Sequence, residues 1–120
     1  NVMSVSKQAV LDNYNFLQSL KPLDAIFPVL KSNAYGHGIE EIAGILKDTP
    51  APYLCVDSYP EYQIARKYSN KDILIIGETL PENYRFFDHK HTAISVYNIS
   101  TLKYLAKKSR PRRVHLFLNT

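Results

Sequence analysis

An α/β fold of parallel βα repeats is the architecture this sequence predicts, and three observations predict it. Segments of helical period alternate with short apolar runs five times along the chain. The later runs recur about 20 residues apart, the spacing of a strand, a crossover helix and two turns. The first run, Ala25 to Leu30, is apolar without alternation, as in a strand covered on both faces. At 120 residues the chain is as long as one ordinary domain. It is also about half of the near-250 residues that close a (β/α)8 TIM barrel. Alternation alone leaves open a compact doubly wound module and a partial barrel.

Taken in order, Ser6 can cap a helix through about Leu20, with Val10, Tyr14 and Leu17 on one face. Lys21-Pro22 ends it, because proline disfavours helical geometry in the residue before it. The run Ala25 to Leu30 reads as the first strand, although Pro28 lacks a ladder donor and belongs on an edge or at a missing bond. Ile39 to Lys47 is a short amphipathic helix, and Tyr53 to Val56 a second strand. Pro60 opens a helix through Tyr68. Ile73 to Gly77 is the clearest strand of the chain. Pro81 starts a further helix to about His89, followed by a strand at Thr92 to Val96. Asn98 or Ser100 caps a helix carrying Leu102, Leu105 and Ala106, and Val114 to Leu118 forms the fifth strand. In a partial barrel the first and fifth strands are open edges, where self-association at Val114 to Leu118 is expected.

Composition narrows the function classes. Hydrophobic residues at 45% and charged ones at 22% exclude wholesale disorder. A net charge of +4 favours small anions or plain solubility and is too slight to argue nucleic acid. No apolar run reaches about 18 residues, and the N-terminus lacks signal-peptide regions, so a cytoplasmic, non-membrane protein is expected. The single Cys55 forbids a disulfide framework and, between Leu54 and Val56, reads as a small buried hydrophobe. Tyr14, Tyr53, Tyr68 and Tyr104 fall on element faces and read as packing residues. His89 and His91 lack a third ligand at diagnostic spacing, so no metal is expected there. The basic stretch of Lys103, Lys107, Lys108, Arg110, Arg112 and Arg113 lacks any nucleic-acid recognition motif and reads as a solvated face.

The chemistry concentrates at Val29-Leu30-Lys31-Ser32-Asn33-Ala34-Tyr35-Gly36-His37-Gly38. In α/β folds ligands sit beyond the carboxyl ends of the strands, where Lys31 falls. A lysine desolvated there can serve as a Schiff-base amine and a general base. Tyr35 offers a hydroxyl to a phosphate oxygen, while Gly36 and Gly38 can turn the backbone past a ligand and present N–H groups to an anion. The bland alternative is a strand-end lysine with its head in water and a glycine turn leading into a helix.

This segment resembles the pyridoxal-phosphate attachment motif of the alanine racemase family, usually written A-V-V-K-A-N-A-Y-G-H-G. Lys31 and Asn33 to Gly38 are filled as that family fills them, with Ser32 where Ala is usual. The similarity continues more loosely through the Ile73 to Gly77 strand and His115 to Thr120. The resemblance implies a partial TIM-type (β/α)8 barrel with a leading N-terminal helix. Residues 1–120 would form the N-terminal part of a pyridoxal-phosphate-binding barrel, about half of it, without the family's C-terminal β domain.

It also implies that Lys31 carries pyridoxal 5'-phosphate as a Schiff base. Lys31 would then be one of two bases exchanging the α-proton of alanine or a similar amino acid, with Tyr35 on the phosphate and Ile76 against the ring. A homodimeric full-length isomerase making D-alanine for the cell wall follows from the same resemblance. Phe117 and Asn119 depart from it, standing where the family usually has Lys and Asp in H-L-K-M-D-T-G-M-x-R. The second base falls after Thr120, so the 120 residues alone are expected to racemise poorly. A non-catalytic pyridoxal-phosphate carrier on the same barrel and a small doubly wound phosphate-binding module are the alternatives.

Overall fold

The structure, a computed structural model, describes residues 4–107 and 113–118. Lys108, Arg110, Arg112, Asn119 and Thr120 therefore lie outside the described residues. Helix α1 (Lys7–Leu20) starts where Ser6 accepts the Ala9 N–H at 3.2 Å, an N-cap that replaces a missing intrahelical partner. A short turn α2 (Lys31–Tyr35) leads to α3 (Ile39–Leu46). Then β1 (Tyr53–Val56), α4 (Tyr59–Tyr68), β2 (Asp72–Ile75), a 3₁₀ helix (Pro81–Phe86), β3 (Thr92–Val96), α5 (Ile99–Ala106) and β4 (Arg113–Leu116) alternate. Asn98 caps α5 by accepting the Thr101 N–H at 2.8 Å.

All strand pairs are parallel and the sheet order is β1-β2-β3-β4, each strand beside its predecessor. Among the described residues the order never reverses, so they show no doubly wound switch point. Successive right-handed crossovers put the helices on one face. Leu54, Val56, Ile73, Ile75, Ile94 and Val96 form the main core together with Ala43, Leu46, Tyr62, Ala65 and Leu105 of the helices. The opposite face carries a smaller apolar cluster, Cys55, Leu74 and Ala93, with Phe27, Tyr53 and Ile76 against it. Parallel βα repeats wound in this sense are the wall of a TIM-type barrel, the inner cluster lining its interior.

Four expectations need correction. The run Ala25 to Leu30 is no regular strand; only a Val29–Cys55 bridge forms beside β1. Cys55 N–H donates to Pro28 O at 2.8 Å and Leu30 N–H to Cys55 O at 2.7 Å, so residues 28 and 30 face β1. Pro28 thus has its missing N–H on the bonding side, which cuts the ladder short on this edge. The helix expected from Pro81 to His89 is a 3₁₀ helix ending at Phe86, because Phe87 turns extended to bury its ring against Tyr62 and Tyr59. Leu17 is half exposed with Phe16 and Leu20, leaving Val10 and Tyr14 as the residues of α1 packed on the core. In α5 the second buried position belongs to Thr101, and Ala106 is exposed.

Arg113 leaves the solvated basic face predicted for it. It donates to Asp72 Oδ2 at 2.6 Å, Tyr53 Oη at 3.2 Å and Lys90 O at 2.8 Å, while His91 Nδ1 lies 3.0 Å from Asp72 Oδ1. Burial alone would push the Asp72 carboxyl up, but its hydrogen bonds from Arg113 and His91 outweigh that and hold it below the usual carboxylate range. A depressed carboxyl stabilises the fold above its ordinary pKa and ceases to as pH falls through the depressed value. Asp72→Asn is therefore expected to cost about 1 kcal/mol at neutral pH, since the pair is partly exposed. In urea titrations the gap to the parent should close as the solution is acidified below about pH 4; a gap independent of pH would refute the clasp.

Candidate active site

Side chains alternate between the faces of a strand, and the parallel register sorts the inner face into rows. Phe27 packs on Tyr53, ring centroids 5.1 Å apart, and Tyr53 is level with Asp72. Val29, Cys55, Leu74, Ala93 and Arg113 form the next row. Toward the carboxyl ends, Ile76 packs beside this cluster and Ser95 pairs with His115, whose ring lies against Phe27 and Tyr53. Lys31 follows Leu30, whose ψ of 12° ends the extended edge segment, and opens α2. These carboxyl ends are where TIM-type barrels place their chemistry.

Lys31 is half-buried at the point where the edge segment leaves β1. The chain then enters a left-handed helical turn: Ser32, Asn33, Ala34 and Tyr35 have φ between 53° and 55°. Each such residue costs on the order of 1–2 kcal/mol relative to right-handed geometry. Four in succession persist because the surroundings hold them. Ala34 N–H donates to Leu30 O at 2.8 Å and Gly36 N–H to Ser32 O at 3.1 Å. Asn33 accepts the Gly38 N–H on its carbonyl at 3.0 Å and the Ile39 N–H on its side chain, also at 3.0 Å. Ala34 is buried under the turn. Stored strain of this kind clusters at functional sites.

One expectation about this loop fails. The N–H groups of Gly36 and Gly38 do not face outward toward an anion; they bond to the carbonyls of Ser32 and Asn33 and close the turn itself. The glycines are there for conformation, with φ of 87° and 94°. Tyr35, by contrast, projects from the turn with 60% of its surface exposed. Ile76 is fixed at both ends of its peptide: its N–H donates to Val56 O at 2.8 Å and its carbonyl accepts the Tyr97 hydroxyl. Burial, then Asp57 and Glu78, raise the Tyr97 pKa and keep that donor protonated. Cys55 is buried as expected, its thiol pushed up to about 11 by desolvation.

The family description "Alanine racemase, N-terminal domain" matches residues 5–120. The chain belongs to the alanine racemase family. An alanine racemase of Listeria monocytogenes serotype 4b (strain F2365) is 30% identical over 117 residues, covering 95% of this chain and 32% of that protein. An amino-acid racemase of Enterococcus faecalis is 32% identical over 118 residues, covering 97% of this chain and 17% of its own length. Among solved structures, alanine racemase from Oenococcus oeni superimposes with a TM-score of 0.80 at 23% identity, over 92% of this chain and 31% of that one. Histidine racemase from Leuconostoc mesenteroides subsp. sake NBRC 102480 does so at 0.78 and 23% identity, over 92% and 31%. At that identity the likeness is one of fold. The chain spans about a third or less of the length of these relatives.

Within this alanine racemase family chain, the predicted site residue Ile76 packs on the inner cluster, Lys31 opens the turn beyond the edge segment, and Tyr35 stands on that turn. Asp57, Ser95 and His115 follow the strand positions of that cluster without having been singled out in the sequence. Period-two counting from Cys55, Ala93 and Arg113 would have placed them on the inner face. Glu61, which bonds the turn, was missed as well; the signal for it was the Ser58-x-x-Glu61 capping pattern.

Proposed function

We propose that residues 1–120 supply the cofactor-anchoring part of a pyridoxal-phosphate-dependent racemase acting on alanine or a similar small amino acid. The observation carrying this reading is Lys31 at the carboxyl end of the first barrel position, opening a rigid left-handed turn that presents Tyr35. The family is generally pyridoxal-phosphate dependent, and the donors present suit that group. An amine can condense with an aldehyde, an exposed phenol hydroxyl can donate to a phosphate oxygen, and an apolar Ile76 can pack on a ring. When bound, the cofactor supplies an electron sink for the α-carbon charge.

Lys31 would hold the group through its Nζ and would move a proton at the substrate α-carbon with the same atom. Tyr35 orients the phosphate. Ile76 excludes water from one side of the ring. A second base on the opposite face completes the reaction in both directions, and the full-length protein is read as a cytoplasmic homodimer making D-alanine for the cell wall.

Borohydride reduction of the full chain with pyridoxal phosphate, followed by peptide mass analysis, tests the assignment. A phosphopyridoxyl mass on Lys31 is expected. Modification spread over other lysines, with Lys31 unlabelled, would sink it. Capture at Lys31 without exchange of the alanine α-proton in the full-length protein would favour the carrier alternative. Tyr35→Phe should retain capture but weaken cofactor affinity roughly tenfold, the value of one charge-assisted hydrogen bond; unchanged affinity in a fluorescence titration would remove Tyr35 from the phosphate site.

A further inference from the structure

We infer that Glu61 is a positioning residue for Lys31, its carboxylate clamping the lysine-bearing turn to the end of β1. Ser58-Tyr59-Pro60-Glu61 has the pattern of a capping box, in which the glutamate returns to the N–H of the capping residue itself. The structure uses it otherwise. The Ser58 side chain makes no cap bond. Glu61 Oε2 instead accepts the Asp57 N–H at 2.8 Å, and Oε1 accepts the Ser32 N–H, 29 positions away in sequence, also at 2.8 Å.

Both donors adjoin the strand ends. Ser32 follows Lys31 directly, and Asp57 is the residue that follows β1. The two segments need such a tie, because the Leu30 carbonyl, next in the ladder to accept the Asp57 N–H, accepts the Ala34 N–H instead. Ser32 is also the first left-handed residue, at φ 53°, and its amide bonds to α4 rather than to the edge segment. One half-buried carboxylate thereby fixes the spacing of the two chains and the direction in which the Lys31 backbone leaves the sheet. Hydrogen bonds to an ionised acceptor are about twice as strong as neutral ones, enough to hold a strained residue. The inference that this serves cofactor capture rests on the function proposed above; the clamp itself does not.

The test uses the full chain with Glu61→Ala and Glu61→Gln, the second retaining one acceptor if the first folds poorly. Amide exchange at Ser32 and Asp57 should accelerate together by roughly tenfold or more, while amides of β2 and β3 keep their protection. After reductive methylation with ¹³C-formaldehyde, the Lys31 methyl signal should shift in both variants, with those of Lys47 and Lys67 unmoved. Borohydride-trapped capture of pyridoxal phosphate by Lys31 should slow by at least about tenfold. Unchanged exchange at the two amides, an unmoved Lys31 signal, or capture at the parent rate would overturn the positioning role. If the parent itself captures no pyridoxal phosphate, the functional reading fails, and the exchange and methyl signals still decide the clamp.

Discussion

Lys31→Ala should abolish covalent capture of pyridoxal phosphate and lower racemase turnover in the full-length protein by roughly 10²–10⁴-fold or more. The size follows from two roles falling on one amine. Removing a general base alone forfeits about that much, because proton transfer from carbon needs an acceptor within hydrogen-bond reach. Losing the covalent tether adds to it, since the aldehyde then binds through its phosphate and ring contacts only. The fold should be indifferent: Lys31 is half-buried at an edge, and neither core cluster includes its side chain. Lys31→Ala should therefore melt with the parent while borohydride leaves residue 31 unlabelled. A variant that still turns over alanine at a tenth of the parent rate would remove the lysine from the chemistry. Exogenous methylamine gives a sharper check, because a small amine can occupy the vacated space and restore part of the proton transfer.

The legibility of the chain in its sequence differed by kind of interaction. β3 and β1 fall on Thr92–Val96 and Tyr53–Val56 as the apolar runs predicted, Ser6 caps α1 as expected, and of the two candidates Asn98 and Ser100 it is Asn98 that caps α5. These features depend on local pattern. The edge at Ala25 to Leu30 reads as a strand in hydropathy, yet its ladder depends on which side of Pro28 faces β1, a question of register. The helix after Pro81 shortens because Phe87 finds the Tyr59 and Tyr62 rings, partners more than 20 residues distant. At the site, the motif marked Lys31 and Tyr35. It could not show that the glycine N–H groups close the turn internally, since that follows from four consecutive left-handed residues of which none is glycine. Arg113 was counted with a basic surface because its partner Asp72 comes from another strand.

Gly77→Ala should destabilise the fold by about 1–3 kcal/mol, the range for forcing a methyl group into packed surroundings. A Cβ at Gly77 would stand 2.1 Å from the Asp57 carbonyl oxygen and 3.0 Å from its carbonyl carbon. Backbone is the obstacle, so no rotamer change relieves it. Gly36 supplies the contrast. Its φ of 87° makes alanine costly by about 1–2 kcal/mol through conformation, but a Cβ there meets nothing within 4 Å. The two variants should consequently separate in urea titration and in the site. Gly36→Ala loses stability with Asp57 undisturbed, whereas Gly77→Ala must part the ends of β1 and β2, displacing Asp57 and with it the Glu61 bond to that residue's N–H. Slower exchange of Lys31 with pyridoxal phosphate should accompany the second variant beyond what its stability loss predicts. Equal effects of the two on Lys31 would mean that the ends of the strands slide without cost, and that the lysine's placement is set by its own turn rather than by the sheet beneath it.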